Sequence, residues 1–315
     1  MSTNQQKYRQ FCANAPADFP VFMQDWYLDA VCEGGTWEAA THQINDETVA
    51  VWPYFVKKKL GWRYVAMPLM GKLMGPYIIP QFRSIKTEMR VLEALWAQFP
   101  SNLAAFQQDF NYTVTNWLPL YWKGFSQTTR YSYIIPLVGT EAELWAGIEG
   151  NYRRKISKAT SSLSVRDDLS VEELHRLCSL SFTRQKIDFP LHFDYFQRIY
   201  HVFEHHNAGK AFFAVDNETG VVHSAIFLVW DQSSAYLLWG GDDPELRTSA
   251  SGILLQWKAI LYAKYTLKLP IFDFEGSMIQ SIEQSRRYFG AVQKPYFRVR
   301  KEWSLLWKWG KFLLR

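Results

Sequence analysis

Cysteine is scarce in this chain. Among its 315 residues only Cys12, Cys32 and Cys178 occur, an odd number with no C-x-x-C pair. A disulfide framework is therefore not expected, and a reducing cytoplasm is the expected compartment. Long apolar runs are also missing: no stretch approaches the roughly 18 residues that a membrane-spanning helix needs. The segment Met1 to Asp18 is polar and lacks the apolar centre of a signal peptide. Charge of one sign is weak as well. Thirty-five basic against 30 acidic residues leave a net charge of +5, which suits an anionic ligand or surface without demanding nucleic acid.

Aromatic side chains, by contrast, are abundant. They make up 17% of the chain, with 14 Trp, in a composition that is 48% hydrophobic with a mean hydropathy of −0.21. That is a globular composition with large cores and at least one deep pocket wall. At this length one core is not enough, so two domains are expected.

The order of elements points to an internal duplication. Around Ile44 the chain reads I-N-D-E-T-V-A-V, and around Val215 it reads V-D-N-E-T-G-V-V-H. Each places an Asn/Asp turn between two strand-like runs, the pattern of a hairpin. In the first copy a helix is expected over 21–32, then strands over 36–44, 48–57 and 62–68. A Gly-containing loop, a helix over 85–99 and a strand over 102–109 follow. In the second copy helices are expected over 171–186 and 193–206, the latter with the inward stripe Phe196, Ile199, Tyr200 and Phe203. Strands over 210–216, 221–230 and 235–239, a polar loop over 240–251 and an apolar helix over 252–265 come next. A strand over 271–275, a helix over 278–289 and a strand over 296–301 complete it. A further helix is expected over 141–159, after a boundary near Pro136–Thr140.

The second copy resembles the GNAT acyltransferases, and in particular the Fem-type proteins, which carry two GNAT-like domains in one chain. The residues that carry this resemblance are Trp239-Gly240-Gly241, Arg247-Thr-Ser-Ala250-Ser251-Gly252, Phe272-Asp273-Phe-Glu275-Gly276-Ser277, Arg287-Tyr-Phe-Gly290-Ala291 and Pro295-Tyr296-Phe297. The run Asn151-Tyr-Arg153-Arg154-Lys155-Ile-Ser-Lys158-Ala159 also looks like the basic helix before the second Fem domain. The similarity covers 141–301; the first half matches by element order alone. It implies an α+β fold of tandem duplicated GNAT-like domains, each a mixed, mostly antiparallel sheet flanked by helices. The divisions would be 1–138, then 139–300 carrying the acyl-donor site, then 301–315 as an amphipathic Trp/Lys-rich tail.

The resemblance also assigns roles. Arg247, Ala250 and Gly252 stand at the signature positions of the GNAT pyrophosphate loop, with Ser251 between them. There, backbone N–H groups and the helix dipole favour a polyanion. Ala250 replaces the first glycine of that signature, and its Cβ narrows the approach; a simple helix cap by Ser249 or Ser251 fits the same residues. Trp239, Gly240 and Gly241 match the segment whose free N–H groups meet the oxyanion. Asp273 and Glu275, two apart on one strand, share a side; they suit a base or an amine-orienting pair, and equally a cap for the next helix. Tyr296 matches a proton donor and also fits a core tyrosine. Arg153, Arg154, Lys155, Lys158 and Arg287 suit phosphate recognition, while a solvated face explains the same charges.

His201-Val-Phe-Glu204-His205 fits the inverted zinc motif H-x-x-E-H, but both histidines lie beside the inward stripe and no third ligand is evident, so no metal is expected. The reading is an N-acyltransferase using an acyl-CoA donor and an amine acceptor, such as an envelope or cell-wall precursor. The Fem alternative is an aminoacyl transferase using aminoacyl-tRNA on a peptidoglycan precursor, although the long helical arm of many Fem proteins is lacking here. A catalytically silent GNAT-like binding protein is the third reading. In K-E-W-S-L-L-W-K-W-G-K-F-L-L-R (301–315), Trp303, Leu306, Trp307, Leu313 and Leu314 share a helical face opposite Lys301, Lys308, Lys311 and Arg315. That composition suits peripheral contact with the inner membrane face, as it does docking on the protein itself.

Overall fold

A computed structural model describes residues 2–183, 187–276, 278–303 and 307. It divides into two compact units: 1–130 with 295–315, and 131–294. The division falls at Arg130, ahead of the expected 138, and the chain re-enters the first unit at Pro295. The physical cause is strand length. The long strands β6 (Ser126–Pro136) and β12 (Val292–Glu302) each supply residues to both units.

The first unit opens with α1 (Thr3–Ala13), a helix not among those expected from the sequence. Ser2 caps it through the Gln5 N–H, and Tyr8, Phe11 and Cys12 face inward. The helix expected over 21–32 is broken: a 3-10 turn, Val21–Met23, gives way at extended Gln24 to α2 (Asp25–Val31). The meander β1 (Thr36–Ile44), β2 (Glu47–Lys59) and β3 (Trp62–Ala66) follows. Asn45 and Asp46 both take positive φ (50° and 66°), the backbone of a two-residue hairpin whose twist matches its strands. Short β4 (Tyr77–Ile78) pairs with β2. Helix α3 (Ile85–Trp96) crosses over to β5 (Leu103–Asp109), which lies parallel to β3. Helix α4 (Leu118–Trp122) then precedes β6. Strand order here is β1-β2-β3-β5-β12. Trp52 fills the core, and its indole N–H donates to Gln108 at 2.7 Å.

The second unit repeats this plan. After β6 the helix expected over 141–159 is two helices, α5 (Glu141–Gly147) and α6 (Gly150–Ser162), because Ile148 and Glu149 are extended. Then come β7 (Leu163–Arg166), α7 (Val171–Thr183), α8 (Phe193–His205), β8 (Gly209–Asp216), β9 (Val222–Trp230) and β10 (Ser234–Asp242). Phe196, Ile199, Tyr200 and Phe203 of α8 are buried as the periodicity requires. Helix α9 (Ser251–Leu261) ends in a π-turn, Tyr262–Thr266, and crosses over to β11 (Ile271–Asp273), parallel to β10. Helix α10 (Gln280–Tyr288) leads into β12. Strand order is β6-β11-β10-β9-β8-β7. Each unit therefore holds an antiparallel three-strand meander, a crossover helix and a parallel fourth strand. The two similar turn sequences lie at equivalent hairpins but are built differently: in the second, Asp216 Oδ1 accepts the Glu218 and Thr219 N–H groups ahead of Gly220.

Lys301 and Glu302, expected to begin the tail, are the last residues of β12, and the Trp303 N–H donates to Ala104. Trp303 stacks on Trp96 at 6.2 Å and 6°, and Trp307 packs on Tyr64 at 4.6 Å. Leu306, Lys308, Lys311, Leu313, Leu314 and Arg315 lie outside the described residues. Among the described residues no helix is long and apolar enough to cross a membrane.

Candidate functional site

In the second unit β10 and β11 pair only over Ser234–Tyr236 and Ile271–Asp273. Strand β11 then stops, while β10 runs on to Asp242. Register with β9 also slips between Leu237 and Trp239, a bulge of the kind that re-aims a strand next to functional sites. The result is a fork between parallel strands, open at their carboxyl ends, where ligands of α/β sheets bind. The polar loop expected from 240 begins later, because Gly240, Gly241 and Asp242 still belong to β10.

Asp273 sits at the root of this fork, 1% exposed. Its Oδ1 accepts from Ser132 Oγ at 2.6 Å and from the Glu275 N–H at 2.7 Å. Its Oδ2 is buried and has no hydrogen-bond partner among the described residues. Burial raises its pKa to about 7, against the lowering effect of the Ser132 hydrogen bond. Such a carboxyl changes protonation near neutrality, the property that acid–base chemistry needs.

The strand expected over 271–275 ends at Asp273, so Glu275 does not alternate with it. Glu275 instead takes φ 58°, a left-handed conformation that costs a non-glycine residue of order 1–3 kcal/mol and collects at functional sites. Helix α10 starts at Gln280 behind Ile279, so neither carboxylate caps it, as one reading of the sequence allowed. Arg286 of α10 supplies the countercharge. Its guanidinium lies 4.9 Å from the Phe274 ring centre and donates to Gln256 of α9 at 2.9 Å. Burial lowers its pKa to about 10, opposed first by the charge of Glu275.

The N-terminus of α9 opens beside β10. Ala250 caps it backbone-first at φ 58°, ψ 25°, and Ser251 is buried. An Asp242 oxygen lies 2.6 Å from where a Cβ on Gly252 would stand. Arg247 Nε lies 3.6 Å from the other Asp242 oxygen. The Asp242 carboxylate thus lies beside the N-terminus of α9, a favourable place for a negative charge.

The Trp239 ring is core, stacked on Phe196 at 3.8 Å and on Phe227 at 5.2 Å. Gly241 is required by packing, since a Cβ there would meet the Leu177 carbonyl carbon at 2.3 Å, whereas at Gly240 the nearest atom would be 3.5 Å away. Arg154, Lys155 and Lys158 are exposed on α6, with Arg153 half-buried. Arg287 is exposed and pairs with Glu283 one turn back at 2.9 Å. Tyr296 belongs to the first unit, buried, its phenol held above the usual range by burial and accepting from Arg130 Nε at 3.3 Å. His201 pairs with Glu204 at 3.0 Å on an exposed face.

Sequence reasoning missed Ser132, Asp242, Gln256 and Arg286. Only Arg286 had a readable signal. It lies three residues before buried Phe289, whereas Arg287 forms an outward i, i+4 pair with Glu283.

The fork, the crossover helix and the loop before it lie within residues 149–278, which match the family model "Acetyltransferase (GNAT) domain". Similar solved structures span nearly the whole chain. One is titled "Crystal structure of FemX", with a TM-score of 0.71, 14% identity, and 94% of this chain and 96% of that one covered. A tandem GNAT protein from the clavulanic acid biosynthesis pathway gives a TM-score of 0.51 at 10% identity, covering 95% and 94%. L-PGS from Bacillus licheniformis gives 0.55 at 9% identity, covering 94% and 90%. No curated relative matches the sequence. In fold the chain is a Fem-like tandem GNAT protein, a class that implies acyltransferase chemistry.

Proposed function

We propose that this chain is an N-acyltransferase working at the fork of β10 and β11. Glu275 is the base that takes the proton of the acceptor amine, and Asp273 is the residue that positions it. The observation that carries this reading is the buried Asp273 carboxylate holding Glu275 in a left-handed conformation beside Arg286. The amine nitrogen, losing its proton to Glu275, forms the new C–N bond at the acyl carbonyl. Backbone N–H groups on the β11-facing side of Trp239–Gly241, past the end of the β10–β11 pairing, are the oxyanion donors in this reading. The bond to the leaving group breaks, and the proton passes to that group.

Asp242 supports one donor over the other. A pyrophosphate at the N-terminus of α9 would face the Asp242 carboxylate already there, and like charges repel. An aminoacyl ester of tRNA, recognised through the exposed bases of α6, fits better. An acyl-CoA donor is the second reading, favoured by Arg247, which is placed to draw Asp242 aside. The acceptor class is an amine on an envelope or cell-wall precursor, reached from the cytoplasmic face. The C-terminal tail beyond Trp303 is our candidate for peripheral membrane contact.

A thermal-shift screen separates these readings. A ligand at a hundred times its Kd stabilises the folded protein by about 2.7 kcal/mol. Stabilisation by charged tRNA and product formation are expected. Stabilisation by acyl-CoA alone would overturn the tRNA donor. Binding of either donor without turnover on any amine would identify a silent binding protein.

A further inference from the structure

Three segments of the first unit meet at one end of its sheet. Strand β3 is parallel to β5, so both begin there, with Arg63 opposite Leu103. Strand β12 is antiparallel to β5 and ends there, with Glu302 opposite Ala105. The β2–β3 hairpin tip, Leu60-Gly61, therefore projects from the same end as Trp303, two strands away, roughly 10 Å at ordinary strand spacing. Helix α4 joins them, since the Lys301 ammonium donates to the Lys123 carbonyl.

Large apolar side chains stand in water at this end. Leu60 is 77% exposed, Trp62 38%, Tyr121 57%, Trp122 58% and Trp303 42%. Among the described residues these three are the only exposed tryptophans. The surrounding charge is basic. Residues 57–63 read K-K-K-L-G-W-R and 118–125 read L-P-L-Y-W-K-G-F, with no acid in either. Acids near this end include Glu302, next to Trp303, Glu38, 3.4 Å from Arg63, and Glu33, next to Gly34 just before β1.

We propose that this end of the first unit docks on an anionic lipid bilayer, with the hairpin tip and α4 entering the interface. Tryptophan and tyrosine prefer that depth, aliphatic Leu60 gains by leaving water, and the lysines meet lipid phosphates. A nucleic-acid surface would use the rings and lysines but has no role for a protruding leucine. The site is distinct from the acyl-transfer fork, is separate from the tail beyond Trp303, and stands without the functional reading above.

Flotation of the full chain tests it. Native protein is expected to float with vesicles containing phosphatidylglycerol, to sink with phosphatidylcholine alone, and to lose its lipid partner at high salt. A hairpin variant, Lys58→Glu/Lys59→Glu/Leu60→Ser/Trp62→Ser, should partition at least roughly tenfold less, since each basic residue near an anionic surface is worth about fivefold. A milder variant, Tyr121→Ser/Trp122→Ser, should lose a smaller share. All these side chains except half-exposed Trp62 lie well out in solvent, so an unchanged melting temperature is expected and is checked first. Failure of native protein to float, or equal flotation of the hairpin variant, overturns the proposal. So does flotation that is lost only in a chain ending at Trp303, which would assign the contact to the tail. Retained flotation with lost tRNA binding in the variants would assign the surface to nucleic acid instead.

Discussion

The Glu275 N–H donates to Asp273 Oδ1 at 2.7 Å, and Glu275 stands at φ 58°. A buried acceptor thus holds a left-handed glutamate just past the end of a strand. Neither residue alone explains the other: without the bond the conformation is strained, and without the turn the carboxylate is a costly buried charge.

Removing the base should be felt in turnover. Glu275→Gln is expected to lower kcat by about 100- to 10,000-fold with donor-induced thermal stabilisation unchanged. Asp273→Asn keeps an oxygen for the Glu275 N–H and should retain much more activity than Asp273→Leu. Steady-state kinetics of the three variants decide it; equal rates for Asn and Leu would remove the positioning role.

The Asp273 carboxyl also sets a pH dependence of stability. Its folded pKa of about 7 lies above the ordinary 3.8. Between those values the folded state holds a proton that the unfolded state has released, so stability falls as pH rises from about 4 to 7 and levels off above. The loss attributable to this group is at most about 4 kcal/mol. Urea unfolding across that range should show it, and Asp273→Asn should flatten it.

Adjacent arginines should behave differently. Arg286→Leu removes a bond to Gln256 and the countercharge near Glu275, and a loss of about 1.5–3 kcal/mol is expected. Arg287→Ala removes a surface pair and should change stability by less than about 1 kcal/mol. Denaturant midpoints of the two variants provide the comparison.

The glycine pair of β10 makes a parallel case. Gly241→Ala places a Cβ 2.3 Å from the Leu177 backbone and should cost about 1–3 kcal/mol or more, because backbone cannot rotate away. Gly240→Ala meets only ordinary contacts and should be tolerated. Melting temperatures suffice, and matching losses would contradict the packing account.

Local rules carried the sequence far. The span of β1 over Thr36–Ile44 and the inward stripe of α8 were legible because pleat and helix periodicity act within a few residues. So was the repeated plan of meander, crossover helix and fourth strand. Breaks at Gln24 and at Ile148–Glu149 were not legible, because the apolar pattern runs through them and only tertiary packing chose extended backbone. The site divides the same way. Asp273 and Glu275 could be picked out as a carboxylate pair, and Gly252 as a helix start. Only the folded chain decided that Ser132 would satisfy Asp273 from 141 residues away, that Arg286 and not Arg287 would turn inward, and that Asp242 would lie against Gly252. Those contacts join residues distant in sequence, and no local pattern encodes where a long strand will end or which carboxylate will reach a helix terminus first.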